Sequence, residues 1–318
     1  MRPWLPGVVA AMVLLSGGSS AEPVYAYYLS TTERAVLLNP RGGNGSGSGT
    51  VFDPRTGVVE HTFSRVDGRV TAVAAHNYGA LVFFGTDEGI VESWDTGSMA
   101  RRRRFRGLKA SIACIDVPQR GNDIAAADAM GNVIVWPGDL ASARVRLVGD
   151  GTPATAIAID SDNGILAVAD ETGVIRVHRW REDREMYRLR LDGTHATAME
   201  FSGDGEKLLV GTEDGTVEFR QSEDGALLRS QLGHRGAVRA IAVAPIAGNV
   251  ASVSADGDIL LWSLSTYAQS GEMGGGPPLC DIQYSPNSEE LMATGEDGTV
   301  RTYSVAGRFE TGVLTVGE

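Results

Sequence analysis

Six glycines divide most of this 318-residue chain at a nearly constant interval. Gly89, Gly131, Gly173, Gly215, Gly257 and Gly298 follow one another at steps of 42, 42, 42, 42 and 41 residues. Each sits in a turn of one kind, spelled Glu88-Gly89-Ile90-Val91 early in the chain and Glu-Asp-Gly-Thr-Val at both Glu213–Val217 and Glu296–Val300. A fixed period near 42 means that one supersecondary unit is copied along the chain. A second set of positions keeps the register. Nineteen residues before the glycines stand Val70, Ile112, Ala154, Ala196, Val238 and Leu279, and three residues further on come Val73, Ile115, Ile157, Met199, Ile241 and Ile282.

Between these markers the pattern reads as a strand, a turn such as Ser202-Gly203-Asp204-Gly205, and a second strand such as Leu208-Leu209-Val210-Gly211. After the glycine come a third alternating strand, as in Ile259-Leu260-Leu261-Trp262, and a fourth, as in Ala226-Leu227-Leu228-Arg229. One four-stranded antiparallel meander cannot bury both of its faces, so neighbours must stack on it and the row must close on itself. The stretches Val24–Leu29, Arg34–Asn39, Gly49–Phe52 and Val58–Phe63 supply a further unit. The fold expected is all-β, a seven-bladed β-propeller of four-stranded antiparallel blades. Seven units of about 42 residues take up roughly 294 of the 297 residues after Ala21, which leaves nothing over for a second domain.

The first 21 residues stand outside the repeat. Met1-Arg2, an apolar stretch from Trp4 to Leu15 and the small residues Ser16–Ala21 read as a secretory signal peptide cut after Ala21. The apolar stretch is too short for a bilayer span, and no later one is long enough. The expectation is an exported bacterial protein, periplasmic or secreted, with residues 22–318 as its single domain and a monomeric state on its own. The formal net charge is -12, unsuited to nucleic acid or to an anionic surface. Two cysteines, Cys114 and Cys280, exclude a disulfide-rich scaffold and form no metal or haem motif.

Gly233-His234, the turn Asp256-Gly257 and Trp262, with Trp94-Asp95 ending its strand in the Trp-Asp dipeptide, resemble the WD40 repeat. The resemblance covers the chain after residue 21. It implies a structural hydrogen-bond network of His234, Ser252 or Ser254, Asp256 and Trp262. Other units depart from it, with His178, Arg220 and Tyr303 at the Trp place and Met130 and Thr172 at the Asp place. These residues also contain the types of a catalytic triad, but acyl transfer needs an oxyanion site and a cleft besides.

If the turns between second and third strands share one face, that face collects Asp87, Glu88, Asp128, Asp170, Glu171, Glu213, Asp214, Asp256, Glu296 and Asp297. It should be strongly negative. The same residues serve as turn formers, so two readings stand together: turn chemistry, and a docking surface for a basic partner or a cation. The Gly/Ser-rich segment Asn39–Ser48 falls in the same region of the first unit. The run Arg101-Arg102-Arg103-Arg104 lies on an outermost strand, where charge guards an exposed edge. It can also meet an acidic partner or lipid headgroups, with Arg101 and Arg103 on one side of the strand and Arg102 and Arg104 on the other.

The function expected is a non-catalytic, exported interaction scaffold or accessory subunit, without cofactor or bound metal, that engages a protein partner. Its contact residues would be Asp87, Glu88, Asp170, Glu171, Glu213, Asp214, Glu296, Asp297, Arg101 and Arg103. The alternative is an enzyme, or a small-ligand or cation-binding propeller, that uses the channel mouth.

Overall fold

The structure is a computed structural model that describes residues 25–29, 34–39, 48–54, 56–64, 66–76, 81–118, 121–138, 145–147, 149–246 and 248–315. The proposed signal peptide and nearly all of the Gly/Ser-rich segment lie outside the described residues. The rest forms seven antiparallel sheets, each made of four strands consecutive in the chain. The innermost strands are Tyr25–Leu29, Val70–His76, Ile112–Asp116, Ala154–Asp160, Ala196–Phe201, Val238–Val243 and Leu279–Tyr284. Blades 1 to 7 are numbered in that order. Among the described residues one short 3-10 turn, Trp180–Glu182, is the sole helical element.

Both faces of every blade are covered by neighbours, and the core is therefore divided into seven clusters, one at each junction between successive blades. Ala156, Ala167, Ile175 and Val177 of blade 4, for example, pack on Met199, Phe201, Leu208 and Val210 of blade 5. Burial on both faces explains why the inner strands are runs of Val, Ile, Leu and Ala in place of a strict apolar-polar alternation.

The last strand, Phe309–Thr315, pairs with Thr299–Ser304 of its own blade, and the first, Tyr25–Leu29, pairs with Arg34–Asn39. The ring thus closes without exchanging a strand. Blade 7 meets blade 1 through side chains: Ala26, Tyr28, Ala35, Leu37 and Phe52 against Met292, Val300 and Leu314. A hydrogen bond from the Tyr28 N–H to Gln283 Oε1 at 3.1 Å joins the innermost strands.

Candidate functional site

A single backbone bond fixes where the acidic turns lie. The N–H groups of Asp87, Ala129, Glu171, Glu213, Ala255 and Glu296 donate to the carbonyls of Arg69, Ser111, Pro153, His195, Ala237 and Pro278. Each acceptor stands just before an innermost strand, so in blades 2 to 7 the turn sits at the entry end of that strand and all six turns share one face of the ring. The turn glycines make this possible. Gly215 holds φ +88°, and a Cβ there would come within 2.3 Å of the His234 carbonyl oxygen, which no L side chain tolerates.

The carboxylates on this face divide into two sets. Asp128 and Asp170 are buried and spent on the turn: Asp128 accepts the N–H groups of Met130 and Asn132, and Asp170 accepts those of Thr172 and Val174 and pairs with Arg176 at 3.3 Å. Asp214, Asp256 and Asp297 also accept turn N–H groups, although Asp214 and Asp297 remain exposed. Asp87 is exposed and accepts the Arg69 N–H at 3.2 Å. Glu213 is exposed and lies 3.1 Å from His195, while Glu296 is half-buried, 3.7 Å from Arg239. Glu88 and Glu171 are exposed and make no ion pair among the described residues.

The WD40-type network is assembled in blade 6. Ser252 Oγ, fully buried, accepts the Trp262 indole N–H at 2.9 Å and bonds His234 Nε2 at 2.8 Å. The sequence left Ser252 and Ser254 as alternatives; Ser254 instead accepts the Asp256 N–H at 3.2 Å. Asp256 stands 3.4 Å from His234 Nδ1, close enough for attraction but beyond a well-formed hydrogen bond. Burial drives the His234 pKa below the ordinary histidine range despite that carboxylate. Neither Ser252 nor His234 is reachable by a substrate, so the constellation holds the blade together. In blade 2 the Trp94 indole turns to the buried Glu92 at 3.2 Å.

Glu92 also organises the arginine run. Arg101 Nη1 lies 3.2 Å and Arg104 Nε 2.6 Å from its Oε1, and both arginines also reach Asp67. The expected alternation is broken because a β-bulge pairs Ser93 with Arg103 and Trp94 with Arg101, leaving Arg102 as the extra residue. Arg101 is exposed and Arg103 half-buried on the outermost strand of blade 2.

Two features escaped the sequence reading. Between blades 4 and 5 a small open notch is lined by Asp160, Asp162, Asn163, Glu200, Ser202 and Asp204. Its carboxylates are largely bound to their own loops, as Asp160 is to the Asn163 side chain at 2.7 Å. The second feature is a recurring polar contact on the inner strands. Asp116 Oδ2 of blade 3 accepts the Ile159 N–H of blade 4 at 2.7 Å, in the same place as the Gln283 bond to Tyr28. Aligning the inner strands would have shown the position as polar in three blades, with Asp116, Glu200 and Gln283 against Ala74, Ala158 and Ala242. Cys114 and Cys280 are free and buried, and burial pushes the Cys280 thiol up to about 12, far from a reactive thiolate. Among the described residues no group of three or more His, Cys, Asp or Glu is placed to hold a metal ion, and no helix is long and apolar enough to cross a membrane.

Fold and network together define a seven-bladed β-propeller with a WD40-type blade. Residues 160–246 match the family model described as the anaphase-promoting complex subunit 4 WD40 domain. A segment of 114 residues, 35% of this chain, is 30% identical to transcription initiation factor TFIID subunit 5 of Caenorhabditis elegans. The chain matches 17% of that protein's length. With the seven blades, these similarities support a place among the WD40 propellers, a class typical of protein-interaction scaffolds.

Proposed function

We propose that this protein is an exported, non-catalytic scaffold that docks a protein partner of basic surface on its acidic turn face. The observation carrying this reading is that one end of the ring gathers Asp87, Glu88, Glu171, Glu213, Asp214, Glu296 and Asp297, and that among the described residues the Glu88 and Glu171 carboxylates accept no turn N–H. Such a surface raises the local concentration of positive ligands and steers their approach. Arg101 and Arg103 offer a separate contact on the outer wall of blade 2. Export rests on Met1-Arg2, the apolar Trp4–Leu15 and the small residues before Ala21.

The test is crosslinking of the tagged chain in its native cells, at low and high salt, beside a Glu88→Gln, Glu171→Gln, Glu213→Gln variant. These three substitutions remove charge without removing a turn acceptor. One partner, lost at high salt and lost with the variant, is the expected result; capture indifferent to both overturns the docking reading. Fractionation with N-terminal sequencing checks export, the expected mature terminus being Glu22.

A further inference from the structure

Blades 7 and 1 share no strand, and between their innermost strands lies a buried carboxyl with no ion pair among the described residues. Asp281 is 1% exposed. Its Oδ1 accepts the Ile282 N–H at 2.9 Å, and its Oδ2 has no hydrogen-bond partner among the described residues. From blade 1 it faces the phenols Tyr25 and Tyr27, both fully buried. Its own blade contributes Cys280 beside it, Thr294 opposite it on the next strand, and Glu296 near Cys280. Across the channel, Asp116 of blade 3 also stands close to Tyr27. Arg239 of blade 6 faces Tyr25 and Cys280 and lies 3.7 Å from Glu296.

A carboxylate in this place would be stripped of water and surrounded by groups that are neutral or themselves acidic. Burial pushes the Asp281 pKa up to about 8, with the Ile282 N–H and the nearby Tyr27 phenol offsetting only part of the effect. We propose that the junction between blades 7 and 1 closes around a protonated Asp281, and that loss of this proton opens the ring there.

The direction follows from proton linkage. In the opened junction Asp281 is hydrated and its pKa returns to about 4. Below that value both forms hold the proton and the closed ring has its full advantage. Between about 4 and 8 the closed form holds a proton that the open form has released, so each pH unit favours opening about ten-fold. Above about 8 both forms are ionised and the dependence levels off.

Hydrogen exchange on the full chain from pH 5 to pH 9, corrected for intrinsic rates, tests this. The Tyr28 amide, which spans the junction to Gln283, is read against the slowest amides of blades 5 and 6. The expected result is a Tyr28 opening equilibrium that climbs about ten-fold per pH unit and flattens above pH 8 while the reference amides do not follow. Asp281→Asn, neutral at every pH, should abolish the slope and leave Tyr28 better protected at pH 8. The proposal is overturned if Tyr28 tracks the reference amides, or if the slope survives in Asp281→Asn. The wild-type profile decides alone should that variant fail to fold.

Discussion

The junction between blades 3 and 4 and the junction between blades 7 and 1 are built to one plan and differ in how strongly they carry it out. Each has a polar side chain at the same place on an inner strand, accepting an N–H from the next blade. At the first it is Asp116, 2.7 Å from the Ile159 nitrogen, and at the second it is Gln283, 3.1 Å from that of Tyr28. The 3/4 core contains twelve buried residues, from Cys114 to Trp180, against seven at the 7/1 core among the described residues. The chain runs directly across the 3/4 junction, whereas at the 7/1 junction the two sides lie at opposite ends of the sequence. Contacts that must be made without a short connecting loop carry a larger ordering cost. The comparison teaches that a ring of similar blades has a preferred place to come apart, at the junction that no connecting segment of chain crosses.

Core truncation should show the difference most strongly. Ile157→Ala at the 3/4 junction and Met292→Ala at the 7/1 junction each remove a fully buried side chain and should cost about 2–5 kcal/mol. In Met292→Ala, amide protection should fall first in blades 1 and 7, while Ile157→Ala should lower the whole ring. Uniform loss in both, read by hydrogen exchange under mild denaturant, would erase the distinction.

Next come the bridging acceptors. Asp116→Leu strands the N–H groups of Ile159 and Val117 and should cost about 2–4 kcal/mol, whereas Gln283→Leu strands that of Tyr28 alone and should cost about 1–2 kcal/mol. Urea unfolding measures both, and the reverse order would mean that the 7/1 bond is the stronger.

The acid limb of stability sharpens the contrast from another blade. His234 has its pKa held below the ordinary value of about 6.5, so its contribution is present above that pH and is lost as the pH falls through the folded value. The melting temperature should drop in mild acid by the equivalent of one proton, and His234→Gln should flatten that limb while leaving the pH dependence at Tyr28 intact. Smallest of all, Glu88→Gln and Glu171→Gln should each change stability by less than about 0.5 kcal/mol, because neither side chain holds a turn. A larger loss in thermal melts would return these residues to structural service.

The architecture was legible because it is written in periodic residues. The glycine interval, the apolar markers nineteen positions upstream and the four strand segments of blade 1 all reappear as sheets, with ends shifted by a residue. Ser252 could not be told from Ser254 by spacing, since both lie on Asn249–Ser254 and only the approach of Trp262 from the neighbouring strand selects one. The two-set division of the acidic turns was hidden for a like reason: Asp128 and Glu88 look equivalent in a list of charges, but only the former sits where turn N–H groups converge. The arginine alternation failed at one bulge, which depends on the partner strand and not on the run itself. Tyr27, Asp116 and Asp281 were overlooked because a period highlights what repeats: Asp281 interrupts a series made mostly of alanine, and Tyr27 and Asp116 stand in one that varies from blade to blade.

Because each sheet is made from four consecutive strands, the unit of sequence and the unit of structure have the same boundaries. During synthesis every blade can finish pairing from chain already emerged, and the last step is the docking of two completed surfaces, with no partner strand awaited from the far terminus. A lengthening or shortening of the gene by one repeat therefore adds or drops a whole blade and leaves no half-made sheet behind.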